Sequence, residues 1–356
     1  MLNTVSVEHG HHLNRGLPLW ETHLIEGVGE RKFALYIKVH HALMDGVSGI
    51  RLCTRVLSDT PETRDTPPFW ATPPAVKTTS KSRKHPLNYI KPLVRQTKEQ
   101  IATLPTVSRE LLKTLGQIRK DPAHTSIFQA PKTAFNQPIT NARHISVVSL
   151  PMDRVKTLRK KFNATINDIV LAISSSALRQ YLLGLDELPR KPMIAQIPVS
   201  IRDKSSTGGN QVVMLLANLA THIDDPIERI ALIKASVDLG KKRFSAMNAK
   251  EKFNYTFTSM APFLLFLIAG LPPVWPGSNV VISNIPGPRQ PMYLNGAVME
   301  AIFPVSVPVS YFGLNITLIS YDQELQFGIT ACKRSLAEPN NLMDYFQSAI
   351  EELETC

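Results

Sequence analysis

The sequence predicts a mixed α/β protein whose strands run mostly antiparallel. Three observations carry that prediction. Apolar residues alternate with polar ones in many separate runs, among them Leu17–Val28, Arg31–Val39 and Arg143–Pro151. Helical spacing occupies the stretches between later runs. Strands and helices do not follow a regular βαβ order, and no internal repeat of fixed period occurs.

The elements follow in order. Leu17–Val28 and Arg31–Val39 read as two strands joined at "GVGER", and Gly46–Leu57 as a short helix. From Ser58 the chain turns rich in Pro, Thr and charge and reads as a linker or crossover. In Pro86–Lys120 the spacing of Ile90, Leu93, Ile101, Leu104 and Leu111 predicts one or two helices; a polar loop over Asp121–Asn141 follows. Arg143–Pro151 is a strand and Met152–Phe162 a helix stopped at Asn163. Ile166–Leu183 is a longer helix, and Pro226–Asn248 and Glu338–Glu354 are two more. "PMIAQIPVSIR", "NQVVMLLANLATHI", "NVVISNIPGP", "GLNITLISYD" and "ELQFGITAC" all read as strands. The organisation expected is 1–57, a linker with crossover helices over 58–141, and 142–356.

Composition narrows the function. Hydrophobic residues make up 43% of the 356, enough for two ordinary domains, and charged residues only 19%, so a disordered chain is excluded. Lys and Arg exceed Asp and Glu by 40 − 29 = +11, which favours phosphate-bearing ligands or an anionic membrane surface. The basic residues are scattered and no nucleic-acid-binding motif is present, so nucleic acid is not expected as a partner. Lys81–Lys84, Arg159–Lys161 and Lys241–Arg243 read as solvated faces. Cys53, Cys332 and Cys356 form no spaced framework, Met1–Arg15 carries no signal-peptide pattern, and a cytoplasmic location is expected. "APFLLFLIAGLPPVW", Ala261–Trp275, is too short to span a bilayer and is broken by Pro272 and Pro273. It reads first as a buried core helix; the other readings are the wall of an acyl-chain tunnel or a surface that dips into lipid.

Chemistry concentrates in "KVHHALMDGVSG", Lys38–Gly49, which follows an alternating run. An imidazole titrates near ~6.5 in general, so His41 can take a proton at cytoplasmic pH. Gly46 lets the chain turn into a helix. A serine triad lacks its GxSxG, and zinc lacks an HExxH; His40 and His41 are expected on opposite faces of a strand. Spacing alone leaves a structural strand-end histidine with a helix-starting aspartate as an equal reading.

The surrounding segments resolve the choice. "HHALMDG" resembles the HHxxxDG signature of CoA-dependent acyltransferases. It is joined by "PLWETHLIEG" (Pro18–Gly27), "NATINDIVLA" (Asn163–Ala172), "PVSIR" (Pro198–Arg202), "ANLATHIDDP" (Ala217–Pro226), "VISNIPGP" (Val281–Pro288) and "GLNITLISY" (Gly313–Tyr321). Together, from about Leu13 to the C-terminus, they resemble the bacterial wax ester synthase/diacylglycerol acyltransferase family.

The resemblance implies two chloramphenicol-acetyltransferase-like domains with a substrate tunnel between them. It implies acyl transfer from acyl-CoA, as co-substrate, to a long-chain alcohol or a diacylglycerol, with no cofactor and no metal. His41 corresponds to the base and Asp45 to the aspartate that shapes the loop. His40, Gly46, Asn167 and Asp168 correspond to supporting motif positions. Thr165 and Asp168 also fit a local capping box at a helix start. Pro18, Leu19 and Trp20 read as packing beside the catalytic strand; Asn284 either touches substrate or sets the turn before Pro286. Arg202 binds a CoA phosphate or fixes its loop, and 296–313 is expected to line a channel. Peripheral attachment to the inner membrane or to lipid inclusions is expected.

Family members begin with a further strand and helix ahead of Leu13, so the first domain is expected to be incomplete, and the chain less stable and less active than a form extended upstream. Two alternatives remain: a catalytically impaired lipid-binding remnant, or another HxxxD acyltransferase such as a condensation domain. A plant-type acyltransferase would carry DFGWG, which this sequence lacks.

Overall fold

The computed structural model describes residues 1–71, 104–117, 120–200, 212–336 and 339–356. Its first part holds helix α1 (Leu2–Gly10), the hairpin β1 (Trp20–Gly29) and β2 (Lys32–Val39), and α2 (Gly46–Thr54). The hairpin turns at "GVGER" as the sequence predicts, with Gly27 and Arg31 both at positive φ and a register shift between Glu26 and Gly29. α3 (Leu104–Gln117) falls inside the expected helical stretch; the rest of Pro86–Lys120 up to residue 103 lies outside the described residues.

The second part carries β3 (Arg143–Pro151), α4 (Met152–Lys161), α5 (Ile166–Gly184), β4 (Ile194–Ser200) and β5 (Val212–Asn218). Then come α6 (Pro226–Ser245), α7 (Ala249–Ile268), β6 (Val280–Ile285), the short hairpin β7 (Tyr293–Leu294) and β8 (Ala297–Val298), β9 (Leu314–Tyr321), β10 (Glu324–Cys332) and α8 (Pro339–Thr355). Asn163 takes a positive φ just beyond α4 and ends it.

Six strands form one sheet in the order β3-β10-β9-β6-β4-β5. β10 runs antiparallel to β3 and β9, β6 parallel to β9 and β4, and β5 antiparallel to β4. The period of two divides its faces. Ala195, Val280, Ile282, Leu314, Ile316, Leu318, Phe327 and Ile329 join the main core with α5, α6 and α8. The alternate residues, Gln196, Ser283, Asn315, Thr317, Gln326 and Thr330, face the other way. That second face is covered by α1 and by the segment after β8. The Ile145 N–H donates to Ser6 Oγ of α1, and the Ile302 N–H donates to Gln326 Oε1. Gly328 carries no side chain because a Cβ there would collide with the Pro304 carbonyl. Residues 296–313, expected to line a channel, therefore lie in part directly on the sheet.

His9 joins α1 to both neighbours: its Nε2 donates to the Ser306 carbonyl at 2.9 Å, and its Nδ1 accepts from Tyr36 Oη at 2.8 Å. Burial holds its pKa below the usual 6.5. The neutral ring is the form that can donate at one nitrogen and accept at the other.

Two expectations are corrected. The helix expected over Pro226–Asn248 ends at Ser245, and Asn248 starts the next one. Its side chain accepts the Glu251 N–H while the Glu251 carboxylate accepts the Asn248 N–H, a capping box. Ala261–Trp275 is not a buried core helix. α7 stops at Ile268, and Leu265, Ile268, Leu271, Val274 and Trp275 are all exposed. Its inner side packs on α3, on β5 and, through Tyr255 and Phe263, on Phe244 and Phe312.

Arg229 is the largest fully buried side chain. It donates to Ser176 Oγ, Glu352 Oε2 and the carbonyls of Ile223 and Asp224, tying α6 to α5 and α8. Removing it strands these acceptors and opens a cavity. Arg229→Ala is expected to lower unfolding free energy by about 3 kcal/mol, read from urea denaturation midpoints; a loss under about 1 kcal/mol would show that the helices hold together without it.

Candidate active site

β2 ends at Val39, and His40–Asp45 form the turn into α2. Backbone bonds hold the turn: the His40 N–H donates to the Leu19 carbonyl and the Leu43 N–H to the His40 carbonyl, each at 2.9 Å. The Ala42 N–H donates to His40 Nδ1 at 3.1 Å, so the His40 ring braces the loop. The expectation that His40 and His41 point to opposite faces of a strand is corrected. Both lie past the last strand pair, Trp20–Val39, and the bond to the His40 ring takes the place of strand pairing.

Asp45 is buried and is the N-cap of α2. Its Oδ1 accepts the Ser48 N–H at 2.9 Å, and its carbonyl accepts the Gly49 N–H. The short carboxylate satisfies a donor that the helix cannot satisfy itself. His41 stands between these anchors, exposed at the surface of the loop.

Gly46 seats the loop on the second part of the chain. A Cβ at this position would lie 2.8 Å from Ile285 Cδ1. The start of α2 therefore rests against the end of β6. Ile285 shares its sheet face with Ser283 and Val281. Through the strand register it shares that face also with Thr317, Asn315 and Gln196. The loop thus borders a polar strip on a sheet whose opposite face is apolar. Sequence reasoning singled out none of these residues except through whole-segment resemblance; their only local signal is a polar residue at alternate positions of apolar strands.

Asn167 and Asp168 lie elsewhere on the fold, at the start of α5, whose buried stripe packs on the apolar face of the sheet. The expected capping box is present. Thr165 Oγ1 accepts the Asp168 N–H at 3.2 Å, and Asp168 Oδ2 accepts the Thr165 N–H at 2.9 Å and its hydroxyl at 2.7 Å. The other carboxylate oxygen, Oδ1, is buried with no hydrogen-bond partner among the described residues.

Pro18, Leu19 and Trp20 are not core packing. Pro18 is exposed, and Trp20 stacks on Trp70 at 5.1 Å and meets Phe69 edge-on. Their link to the site is the Leu19 carbonyl. Asn284 is exposed on β6, and Arg202 lies outside the described residues. Among the described residues no group of three His, Cys, Asp or Glu side chains is placed to hold a metal.

Comparison with known proteins extends the geometry. Residues 1–170 match the wax ester synthase/diacylglycerol acyltransferase catalytic domain, and residues 208–354 match the C-terminal domain of the same family. The O-acyltransferase WSD of Acinetobacter baylyi is 39% identical over 355 residues, 99% of this chain and 77% of that protein. A probable diacylglycerol O-acyltransferase of Mycobacterium tuberculosis is 36% identical over 357 residues, with 99% and 77% covered. The solved wax ester synthase/diacylglycerol acyltransferase from Marinobacter aquaeolei superposes with a TM-score of 0.74 at 37% identity, over 99% of this chain and 75% of that one. The first condensation domain of the CDA synthetase, at 15% identity and a TM-score of 0.51, covers 94% of this chain and 66% of that one, and shares the fold alone. Two family domains in order, and identity of 35–39% with acyltransferases along the whole chain, place this protein in the wax ester synthase/diacylglycerol acyltransferase family.

Proposed function

We propose that the chain transfers a fatty acyl group from acyl-CoA to the hydroxyl of a long-chain alcohol or a diacylglycerol, with His41 as general base. The observation that carries this reading is the construction of the loop. Asp45 caps α2 and His40 braces the turn, and the His41 imidazole between them is exposed on the loop whose following helix rests against β6. The acceptor hydroxyl gives its proton to the imidazole as its oxygen attacks the thioester carbon. The C–S bond then breaks, and the CoA thiolate takes the proton back. No acyl-enzyme forms and no cofactor is consumed; orienting two substrates and moving one proton accounts for the chemistry.

Three variants test the division of labour. His41→Ala is expected to lower ester formation by roughly 10²–10⁴ with an unchanged melting curve. Asp45→Ala is expected to cost about 1 kcal/mol of stability together with activity, and Asp45→Asn, which keeps the capping oxygen, much less stability. His40→Ala is expected to fall between, because it frees the turn. Ester formed per folded protein, with melting curves, decides; near-normal turnover by His41→Ala removes it as the base.

The same reading places the protein on a lipid surface. Among the described residues no helix is long and apolar enough to cross a membrane. Phe253, Phe257, Leu265 and Ile268 of α7 are exposed on one helix face, and Leu271, Val274 and Trp275 continue the patch. Lys250, one turn before Phe253 on the same helix, is exposed and suits an anionic surface. The paired change Phe257→Asp with Ile268→Asp is expected to lower co-flotation with phosphatidylglycerol vesicles by about tenfold or more, since each aspartate both repels the anionic surface and removes buried apolar area. Flotation equal to the parent's would rule this face out.

A further inference from the structure

A cavity of about 190 Å³ lies at the free edge of β5, closed by α3, residues 125–128, the end of α6 and the middle of α7. β5 is two strands from β6, and neither the HHALMDG turn nor Ile285 borders the cavity. It is a separate space from the candidate active site, and the proposed acyl transfer does not use it.

Its wall is apolar, built from Leu111, Ile127, Phe128, Met214, Leu216 and Phe244. Several hydroxyls in the wall are engaged with the backbone. Thr114 Oγ1 donates to the Glu110 carbonyl, Thr125 Oγ1 to the Leu216 carbonyl and Ser259 Oγ to the Thr256 carbonyl, while Ser126 Oγ accepts the Phe128 N–H. The charge of the wall sits at one place. Arg243 donates to Tyr255 Oη at 3.0 Å, and its guanidinium carbon lies 5.6 Å from that ring's centre. A guanidinium has five donors, and Arg243 is only half-buried, so it can meet an anion at the cavity rim. Among the described residues no carboxylate lines this space.

Size limits the occupant. An apolar cavity of about 150 Å³ stays dry and takes up benzene, so this one holds a length of hydrocarbon and excludes a CoA nucleotide. The rim also faces a source of hydrocarbon. Phe128, in the wall and 39% exposed, meets the Trp275 ring edge-on at 5.1 Å, and Trp275 belongs to the exposed apolar patch beside α7.

We propose that this cavity binds the alkyl chain of a medium-chain carboxylate, with the carboxylate on Arg243 and the chain between β5 and α7. The site favours the free acid over its thioester and over the alcohol, because only the free acid presents an anion next to a bare alkyl chain.

Calorimetric titration with octanoate and with octanol, in the absence of acyl-CoA, tests this on the whole chain. The wild type is expected to bind octanoate more tightly than octanol. Arg243→Met keeps the stem against Tyr255 and removes the charge; it is expected to weaken octanoate about tenfold, the loss of one charged hydrogen-bonded contact, and to leave octanol unchanged. Arg243→Lys is expected to recover part of the octanoate affinity. Thr258→Trp, at an exposed wall position, is expected to weaken both ligands by filling the space. Ester formation from acyl-CoA should survive Arg243→Met and Thr258→Trp, and His41→Ala should bind octanoate as the wild type does. Those last two results separate this site from the proposed transfer reaction. The proposal is overturned if the wild type does not bind octanoate, if Arg243→Met binds it unchanged, or if Thr258→Trp abolishes ester formation, which would make the cavity part of the substrate path.

Discussion

The two faces of the six-stranded sheet are unlike, and the placement of everything else depends on that difference. One face is apolar and is sealed by α5, α6 and α8. The other carries Gln196, Ser283, Asn315, Thr317 and Gln326 along neighbouring strands. Polar side chains on a sheet need partners or water. Gln326 takes the Ile302 N–H, and Thr317 donates to the Asn315 side chain. Ser283 and Asn315 are only half-buried. The HHALMDG turn reaches this face at Ile285, at the end of β6.

The turn is held at three points by backbone hydrogen bonds. The Leu19 carbonyl fixes its start, the His40 ring fixes its middle, and the Asp45 carboxylate fixes its end at the helix cap. Each bond satisfies a backbone donor that would otherwise be unpaired, and a cap alone is worth about 1 kcal/mol. Gly46 then permits the approach to Ile285, because any larger residue would meet that side chain. The signature is in this sense a folding unit first. In order along the chain, the His40 ring braces the turn and the Asp45 carboxylate caps the helix that follows.

Local chemistry was legible in the sequence and distant contacts were not. The hairpin, β3, β9 and β10 follow from alternation, and the Thr165–Asp168 capping box follows from four adjacent residues. HHALMDG is recognisable as a string. By contrast, nothing near Gly46 announces Ile285, which is more than two hundred residues away. Asn248 illustrates a subtler failure: a residue at the end of one periodic run can be the cap of the next, and the aromatic-rich stretch after it hides the helical period of α7. Arg229 reads as one more surface charge on a helix until Ser176 and Glu352, from two other helices, are brought to it.

The exposed residues of Ala261–Trp275 show why hydrophobicity alone misplaces a segment. An apolar run of that length suits a core helix, and burial of each large side chain would be worth roughly 1.5–3 kcal/mol. α7 forgoes that gain along its outer face while its inner face does ordinary work: Phe263 packs on Phe312, Tyr255 on Phe244, and Met260 beside Gln196. The helix is therefore anchored on one side and left apolar on the other. An exposed apolar patch of this kind marks a surface that a partner of some kind covers. Because Trp275 of the same patch rests on Phe128 in the wall of the β5-edge cavity, the surface that would meet lipid and the space that fits an alkyl chain are joined by one ring-to-ring contact.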